Sequence, residues 1–332
     1  MKLGDCRHAL RRTGHVASSV AMVAIGVAGL SVVQSTPAAG ATPAASKTTA
    51  LIVPAYQYPL SAPGTLQGIW ADLAASPPPA GKGYVIANPS SGPGSGSFFS
   101  SSDYTNYLYA IGQVQAAGWT VLGYTSTGYG TRTLSAIESG VALWKSKYGT
   151  NQVRSGKLKA PVTSIFFDTA CAGLKWTGSS ADGCANRPPG FGGSPAAFFT
   201  NLTSYVHTNL GGIVVVNPGV QPLDPSFLTN SAVDDAVIAF ENQYSAFIGP
   251  PGSSNNDDSV NQVGTIVWDV STLAEEQQVM QTAHADGSTL VYVTSEDDDG
   301  FYCPPGDVYA GAPPGCTATV PNFFESELAS IS

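Results

Sequence analysis

Charged side chains and histidines are scarce in this sequence. Only 11% of its 332 residues are Asp, Glu, Lys or Arg, compared with about a quarter in typical soluble proteins. Lys and Arg together number 14 and Asp and Glu number 23, which gives a formal net charge of −9. Binding to the phosphates of nucleic acid requires a basic face, so this balance argues against a nucleic acid partner. A neutral or cationic ligand suits the chain better.

The first 41 residues have the pattern of a secretory signal peptide. Basic side chains precede an apolar segment at 16–33, and an Ala-Gly-Ala cleavage site follows it. We expect residues 1–41 to be removed, 42–49 to form a short linker, and 50–332 to form one secreted, extracellular or cell-surface domain. An uncleaved membrane anchor is the alternative, and the small residues after the apolar segment argue against it. No later segment is long and apolar enough to span a bilayer. Cleavage removes four basic residues and Asp5, so the formal charge becomes about −12.

Cysteine is also scarce, with five in the chain and four after removal of the leader. Cys171 and Cys184 are 13 residues apart, and so are Cys303 and Cys316. Because exported proteins keep disulfides, we expect two short-range bonds that each close a loop, although three pairings are possible. Zinc is the alternative. It is disfavoured by the cysteine spacing and by the two histidines left in the mature chain, so neither a metal nor a cofactor is predicted.

Eight apolar runs of strand length alternate with helical stretches along the chain. The runs are 50–56, 83–89, 119–125, 163–168, 211–219, 235–241, 264–270 and 288–294. Most are continuously apolar, which is typical of parallel strands covered on both faces. Helical patterns occupy 102–118, 133–149, 194–211 and 271–287. The alternation predicts an α/β fold, a single-domain (β/α)8 barrel of the TIM type, with a doubly wound open sheet as the alternative.

The C-terminal ends of barrel strands carry the chemistry in this type of fold. Two carboxylates lie at such ends: Asp168 closes the fourth predicted strand and Glu241 closes the sixth. The other polar and aromatic residues at strand ends are Tyr56, Asn88, Tyr124, Tyr129, Arg132, Asn217, Trp268 and Asp269. Aromatic faces stack on sugar rings, and amides and Arg bind hydroxyl groups, so this set predicts a carbohydrate site. The two carboxylates suit glycoside hydrolysis, in which one of them donates a proton.

Each of these residues also has a purely structural interpretation. Asp168 could cap the turn that follows its strand. Glu241 could pair with Arg132, and Tyr124 and Trp268 could pack the barrel. The acidic run at 297–299 is typical of a solvated loop or a weak calcium site.

Six stretches of the sequence carry a family resemblance. They read LIVPAYQYP, VIANPSSGPG, GWTVLGYTSTGYGTR, IFFD, GGIVVVNPG and VIAFENQY, and lie between residue 51 and about residue 295. The most specific patterns are Asn-Pro-x-Ser-Gly-Pro-Gly and Gly-Tyr-x-x-Thr-x-Tyr-x-x-Arg. At these residues the chain resembles the spherulin 4 family of spherulation-specific cell-surface proteins.

The resemblance implies a TIM-type barrel and kinship with glycosidases that cut α-1,4-linked N-acetylgalactosamine in galactosaminogalactan. The family's acidic motif after strand four is Asp-Glu, whereas this chain has Asp168-Thr169. Asp168 and Glu241 correspond to two of the three family acids, and we expect them to be catalytic.

The sequence thus predicts a secreted, monomeric glycoside hydrolase without stable membrane insertion. Its expected partner is a galactosamine-containing polysaccharide. A non-catalytic carbohydrate-binding or cell-surface protein on the same barrel is the alternative, and Thr169 favours it.

Overall fold

The structure is a computed structural model that describes residues 49–79, 82–173, 175–176, 186–219, 223–247 and 262–295. The strands in these ranges are β1 (Ala50–Ala55), β2 (Leu60–Ala62), β3 (Thr65–Leu66), β4 (Gly83–Ala87), β5 (Thr120–Ser126), β6 (Ser164–Asp168), β7 (Val214–Val216), β8 (Ala236–Gln243), β9 (Gln262–Trp268) and β10 (Leu290–Val293). Strands β2 and β3 form a small antiparallel hairpin. The other eight form a closed barrel in the order β1-β10-β9-β8-β7-β6-β5-β4.

Closure of this barrel confirms the predicted fold and excludes the open sheet. The first strand pairs in parallel with the last, with Ala50 opposite Leu290. All other neighbouring barrel strands are also parallel. Each of the eight predicted apolar runs overlaps one of these strands, and β5, β8 and β9 extend one or two residues beyond their runs.

Helices cover the outside of the barrel. They are α1 (Gly68–Ala75), α2 (Ser102–Ala116), α3 (Leu134–Lys147), α4 (Thr150–Arg154), α5 (Pro195–Asn209), α6 (Ser226–Thr229), α7 (Tyr244–Phe247) and α8 (Leu273–Ala285). Hydroxyl caps start several of them, including Ser194 before α5, where Pro195 takes the first helical position. Helix α8 starts later than the predicted Ser271, because Thr272 and Glu275 form a reciprocal capping box.

The barrel strands bury side chains on both faces, which explains their continuous apolar character. Inward side chains such as Ile86, Phe166 and Val215 fill the barrel interior. Outward side chains, including Phe167, pack with the helices around Trp144 in a second cluster. Because side chains alternate along each strand, successive residues pack in turn inside the barrel and against the helices.

Strand β8 departs from this alternation through a β-bulge. Ile238 pairs with Gly264 of β9, but Thr265 pairs with Phe240, so Ala239 is an extra residue on β8. A bulge of this kind redirects the side chains that follow it. As a result Glu241 pairs with Ile266, which faces the barrel interior. Without the bulge, Phe240 would take that inward place.

Several predictions concern residues outside the described ranges. These include the signal peptide at 1–41, nearly all of the 42–49 linker, and Cys184, Cys303 and Cys316. The two disulfides therefore stay a prediction. In the described part of the chain, none of the helices has the length and apolar character needed to cross a membrane. In the same ranges, no group of three or more His, Cys, Asp or Glu residues could hold a metal ion.

Candidate active site

One layer of side chains lies at the C-terminal mouth of the barrel. Seven of the predicted site residues belong to it: Tyr56, Asn88, Tyr124, Asp168, Asn217, Glu241 and Trp268. Alternation places most of them one step above an inward-facing core residue, as Asp168 follows Phe166 and Asn217 follows Val215. The closed barrel therefore brings residues together that are up to 212 positions apart in the sequence.

Asn217 joins the two carboxylates at the centre of this layer. Its Nδ2 donates one hydrogen bond to Asp168 Oδ1 at 2.8 Å and another to Glu241 Oε2 at 2.7 Å. The two carboxylate oxygens are thus no more than about 5.5 Å apart. Retaining glycosidases place their carboxyl groups roughly 5–5.5 Å apart, whereas inverting ones need roughly 6.5–9.5 Å.

Tyr124 fixes the other side of Asp168. Its hydroxyl donates to Asp168 Oδ2 at 2.7 Å, so each oxygen of this carboxylate accepts a side-chain hydrogen bond. The Tyr124 ring in turn meets the edge of Tyr56, with ring centroids 5.6 Å apart. These contacts hold Asp168 in one orientation at the mouth.

The two carboxylates differ in their electrostatic surroundings. Burial raises the pKa of Asp168, but hydrogen bonds from Tyr124, from the Thr169 backbone and from Asn217 counteract the increase. Burial and the nearby charge of Asp168 raise the pKa of Glu241 to about 7, while the bond from Asn217 lowers it. The surroundings thus favour an ionised Asp168 beside a protonated Glu241 near neutral pH.

A glycine makes room for Glu241. Gly219 follows Asn217 after β7 and adopts a φ of +65°. A Cβ atom at this position would lie 3.1 Å from Glu241 Oε2, which is tighter than ordinary packing. The carboxylate therefore requires both the backbone conformation and the absence of a side chain at Gly219.

The remaining predicted residues lie on the rim. Tyr129 follows β5 and is 48% exposed, and the pKa of its hydroxyl is raised by burial and by Asp168 and Glu241. Asp269 follows β9 and is exposed. Arg132 donates from its guanidinium to the backbone carbonyls of Ser126 and Ala136. It thus ties the loop after β5 to the start of α3, and substrate binding by Arg132 stays a prediction.

Left-handed backbone conformations cluster around the mouth. In the described ranges, the non-glycine residues with positive φ are Ser91, Tyr129, Thr169 and Asp269. Each lies in a loop that directly follows a barrel strand. Such conformations are unfavourable for residues with a Cβ, and they concentrate at functional sites where the surrounding structure enforces them.

In the sequence, Thr169 stands out only as a departure from a family motif. In the structure its hydroxyl contacts the Ser126 hydroxyl at 2.7 Å and the Gly128 N–H at 2.9 Å. No periodicity or spacing signals these contacts, because they join two loops that are about 40 residues apart in the sequence.

Comparisons with known proteins agree with this architecture. The sequence model of the family described as spherulation-specific family 4 matches residues 50–317. Spherulin-4 of Physarum polycephalum is 26% identical over 212 residues, which cover 62% of this chain and 51% of that protein. The chain therefore spans about half the length of this relative. The crystal structure of Aspergillus clavatus Sph3 in complex with GalNAc matches 86% of this chain and 98% of that chain, with a TM-score of 0.55 and 20% identity. At this level of identity, the match to Sph3 indicates a shared fold.

Proposed function

The chain belongs to spherulation-specific family 4, and we propose that it is a secreted glycoside hydrolase acting on an α-linked amino-sugar polysaccharide. The observation that carries the proposal is the carboxylate pair joined by Asn217 at the barrel mouth. Glycoside hydrolysis requires two carboxyl groups in different protonation states, and the surroundings of Asp168 and Glu241 favour that difference.

Glu241 is the proton donor in this proposal. Its raised pKa keeps the carboxyl protonated up to about pH 7, so it can give a proton to the glycosidic oxygen as the bond to the leaving sugar breaks. Asp168, held by Tyr124 and Asn217, supplies the negative charge at the anomeric carbon. Their short separation favours a retaining reaction, in which Asp168 forms a glycosyl intermediate and Glu241 then takes a proton from the attacking water.

The substrate class follows from charge and from the relatives. Sph3 is described in complex with GalNAc, which supports a galactosamine-type sugar for this chain as well. The formal net charge of −9 favours attraction of a partly deacetylated, cationic polymer. Rim and mouth tyrosines, including Tyr56 and Tyr129, supply aromatic faces for sugar rings.

A second candidate function is carbohydrate binding without catalysis. Thr169 favours it, because the family resemblance implies an acid at this position. The same barrel fold hosts both kinds of protein, so the fold does not discriminate between them.

The deciding experiment measures new reducing ends during incubation with α-1,4-linked polymers of N-acetylgalactosamine, galactosamine and glucosamine. We expect cleavage of a galactosamine-containing polymer. Asp168→Asn and Glu241→Gln should each reduce turnover at least ~100-fold and leave binding largely intact, because each removes a reacting carboxyl group while preserving shape. Glu138→Gln on α3 is the matched control for the loss of one charge.

The outcomes separate the two candidates. Binding of the polymer without new reducing ends would favour the non-catalytic protein. Full activity of both amide variants would contradict the paired-carboxylate mechanism, and Asp269 would be the next residue to test.

A further inference from the structure

Thr169 adopts a backbone conformation that is unusual for its residue type. It follows the last residue of β6 and has a φ of +50°. β-Branched residues are rarely found in this left-handed region. Thr169 directly follows Asp168, one of the two carboxylates at the mouth. The strained conformation is therefore directly linked to the charged group of the mouth.

The hydroxyl of Thr169 uses its full hydrogen-bonding capacity. It donates to the backbone carbonyl of Asp168 at 2.7 Å. A hydroxyl has one proton to donate and two lone pairs to accept with, so the two remaining contacts are accepted bonds. These come from the Ser126 hydroxyl at 2.7 Å and from the Gly128 N–H at 2.9 Å.

The carbonyl of Thr169 holds the same neighbouring loop. It accepts the backbone N–H of Tyr129 at 2.8 Å and the hydroxyl of Thr127 at 2.8 Å. Tyr129 itself has a φ of +49°, between two glycines of positive φ. The turn at 126–130 is thus fastened to Thr169 at four of its five residues.

We propose that Thr169 is a positioning residue that holds the ring of Tyr129 as an aromatic wall for the sugar bound at the carboxylate pair. Thr169 directly follows Asp168, and it bonds the Tyr129 turn through its hydroxyl and its carbonyl. The distance between the reacting group and the aromatic wall therefore depends on Thr169. The inference rests on the proposed carbohydrate site, and it assigns to Thr169 a role in substrate affinity rather than in the chemical step.

The test compares Thr169→Val, which keeps the branched shape but removes the hydroxyl, with Thr169→Ser, which keeps the hydroxyl. The probe is the α-1,4-linked tetramer of N-acetylgalactosamine, with binding measured by calorimetry and hydrolysis by reducing ends. Thr169→Val should weaken binding and raise KM by about tenfold, the scale of losing one aromatic contact, and leave kcat within about twofold. Thr169→Ser should stay within about twofold of the wild type in both quantities.

A double-mutant cycle with Tyr129→Ala tests whether Thr169 acts through Tyr129. The double variant should bind no more weakly than Tyr129→Ala alone, because the wall is already absent. If the valine variant does not fold, Thr169→Gly takes its place in the test, because glycine adopts a positive φ without strain and also lacks the hydroxyl. It should show the same loss of affinity as valine.

Several results would overturn the inference. The first is unchanged affinity for the tetramer in both hydroxyl-free variants, and the second is a loss of affinity in Thr169→Ser as large as theirs. The third is a double variant whose loss of affinity is the sum of the two single losses. The fourth is a wild type that does not bind the tetramer. Wild-type binding without hydrolysis, with the predicted order of affinities, would refute the hydrolase proposal and support the role of Thr169. Hydrolysis by the wild type, with a KM that is unchanged in the Thr169 variants, would support the hydrolase proposal and refute the role of Thr169.

Discussion

Neutralising Glu241 should make the folded protein more stable at alkaline pH. The native state holds the Glu241 proton up to about pH 7, whereas the ordinary value is 4.5. An unfolded chain therefore releases this proton at lower pH than the native chain does, and native stability falls as the pH rises through that interval. At pH 8 this difference in pKa between the native and unfolded states lowers the free energy of unfolding by about 3 kcal/mol. Gln at this position has no proton to lose and can still accept the hydrogen bond from Asn217.

Thermal and denaturant unfolding of Glu241→Gln at pH 4 and at pH 8 would measure this effect. At pH 4 the variant and the wild type should differ by less than about 1 kcal/mol, because the wild-type carboxyl is protonated in both states. At pH 8 the variant should be more stable by about 3 kcal/mol, which corresponds to several degrees in Tm. Glu138→Gln should show no such gain. A variant that is equally stable or less stable than the wild type at pH 8 would refute the assignment of a raised pKa to Glu241.

Two further substitutions test the surroundings of the pair. Tyr124→Phe removes a hydrogen bond that lowers the pKa of Asp168, so the acidic limb of kcat/KM against pH should move to higher pH; an unmoved limb would mean that Asp168 does not control it. Arg132→Ala should lower the free energy of unfolding by about 1–3 kcal/mol in denaturant titrations, because the guanidinium donates to two backbone carbonyls. Arg132→Lys should not restore it, since one ammonium lacks the fork geometry, and unchanged stability with weakened sugar binding would instead identify Arg132 as a ligand contact.

Most of the fold could be predicted because local patterns and burial agree along the chain. Continuous apolar runs marked strands buried on both faces, and the alternating helical patterns marked the covering layer. Asp168 and Asn217 could be placed at the mouth from two facts: each ends an apolar run, and parallel strands of a barrel end on one face. Their connection through one amide nitrogen depends on atomic positions that no spacing encodes.

Glu241 shows where alternation fails. In the order Ile238, Ala239, Phe240, Glu241, strict alternation would direct Phe240 inward and Glu241 outward. The acid reaches the mouth only because Ala239 is accommodated as an extra residue. Its position at the end of a predicted strand marked it as a candidate, but its orientation is a property of the pairing with β9.

Arg132 and Thr169 make contacts that the sequence pattern does not specify. Arginine among mouth residues favours a ligand contact, yet the guanidinium lies on backbone carbonyls. Thr169 after Asp168 was interpreted as the loss of a family acid, and in the structure its hydroxyl joins the end of β5 and the turn that follows it to the end of β6. In both cases the contacts join segments on either side of a strand end, and their geometry is not specified by the sequence pattern.

The bulge in β8 links the outer surface of the barrel to the position of Glu241. Phe240 and Glu241 compete for the same inward place, and the outward position of Phe240 is stabilised by an edge-to-face contact with Phe247 of α7, with ring centroids 5.1 Å apart. This aromatic pair on the outside therefore helps to keep the carboxylate inside. A substitution at Phe247 leaves the side chains of the mouth layer unchanged, but it weakens the preference for the register that turns Glu241 inward. A change in the short helix α7 can therefore preserve the barrel fold and still alter the position of Glu241.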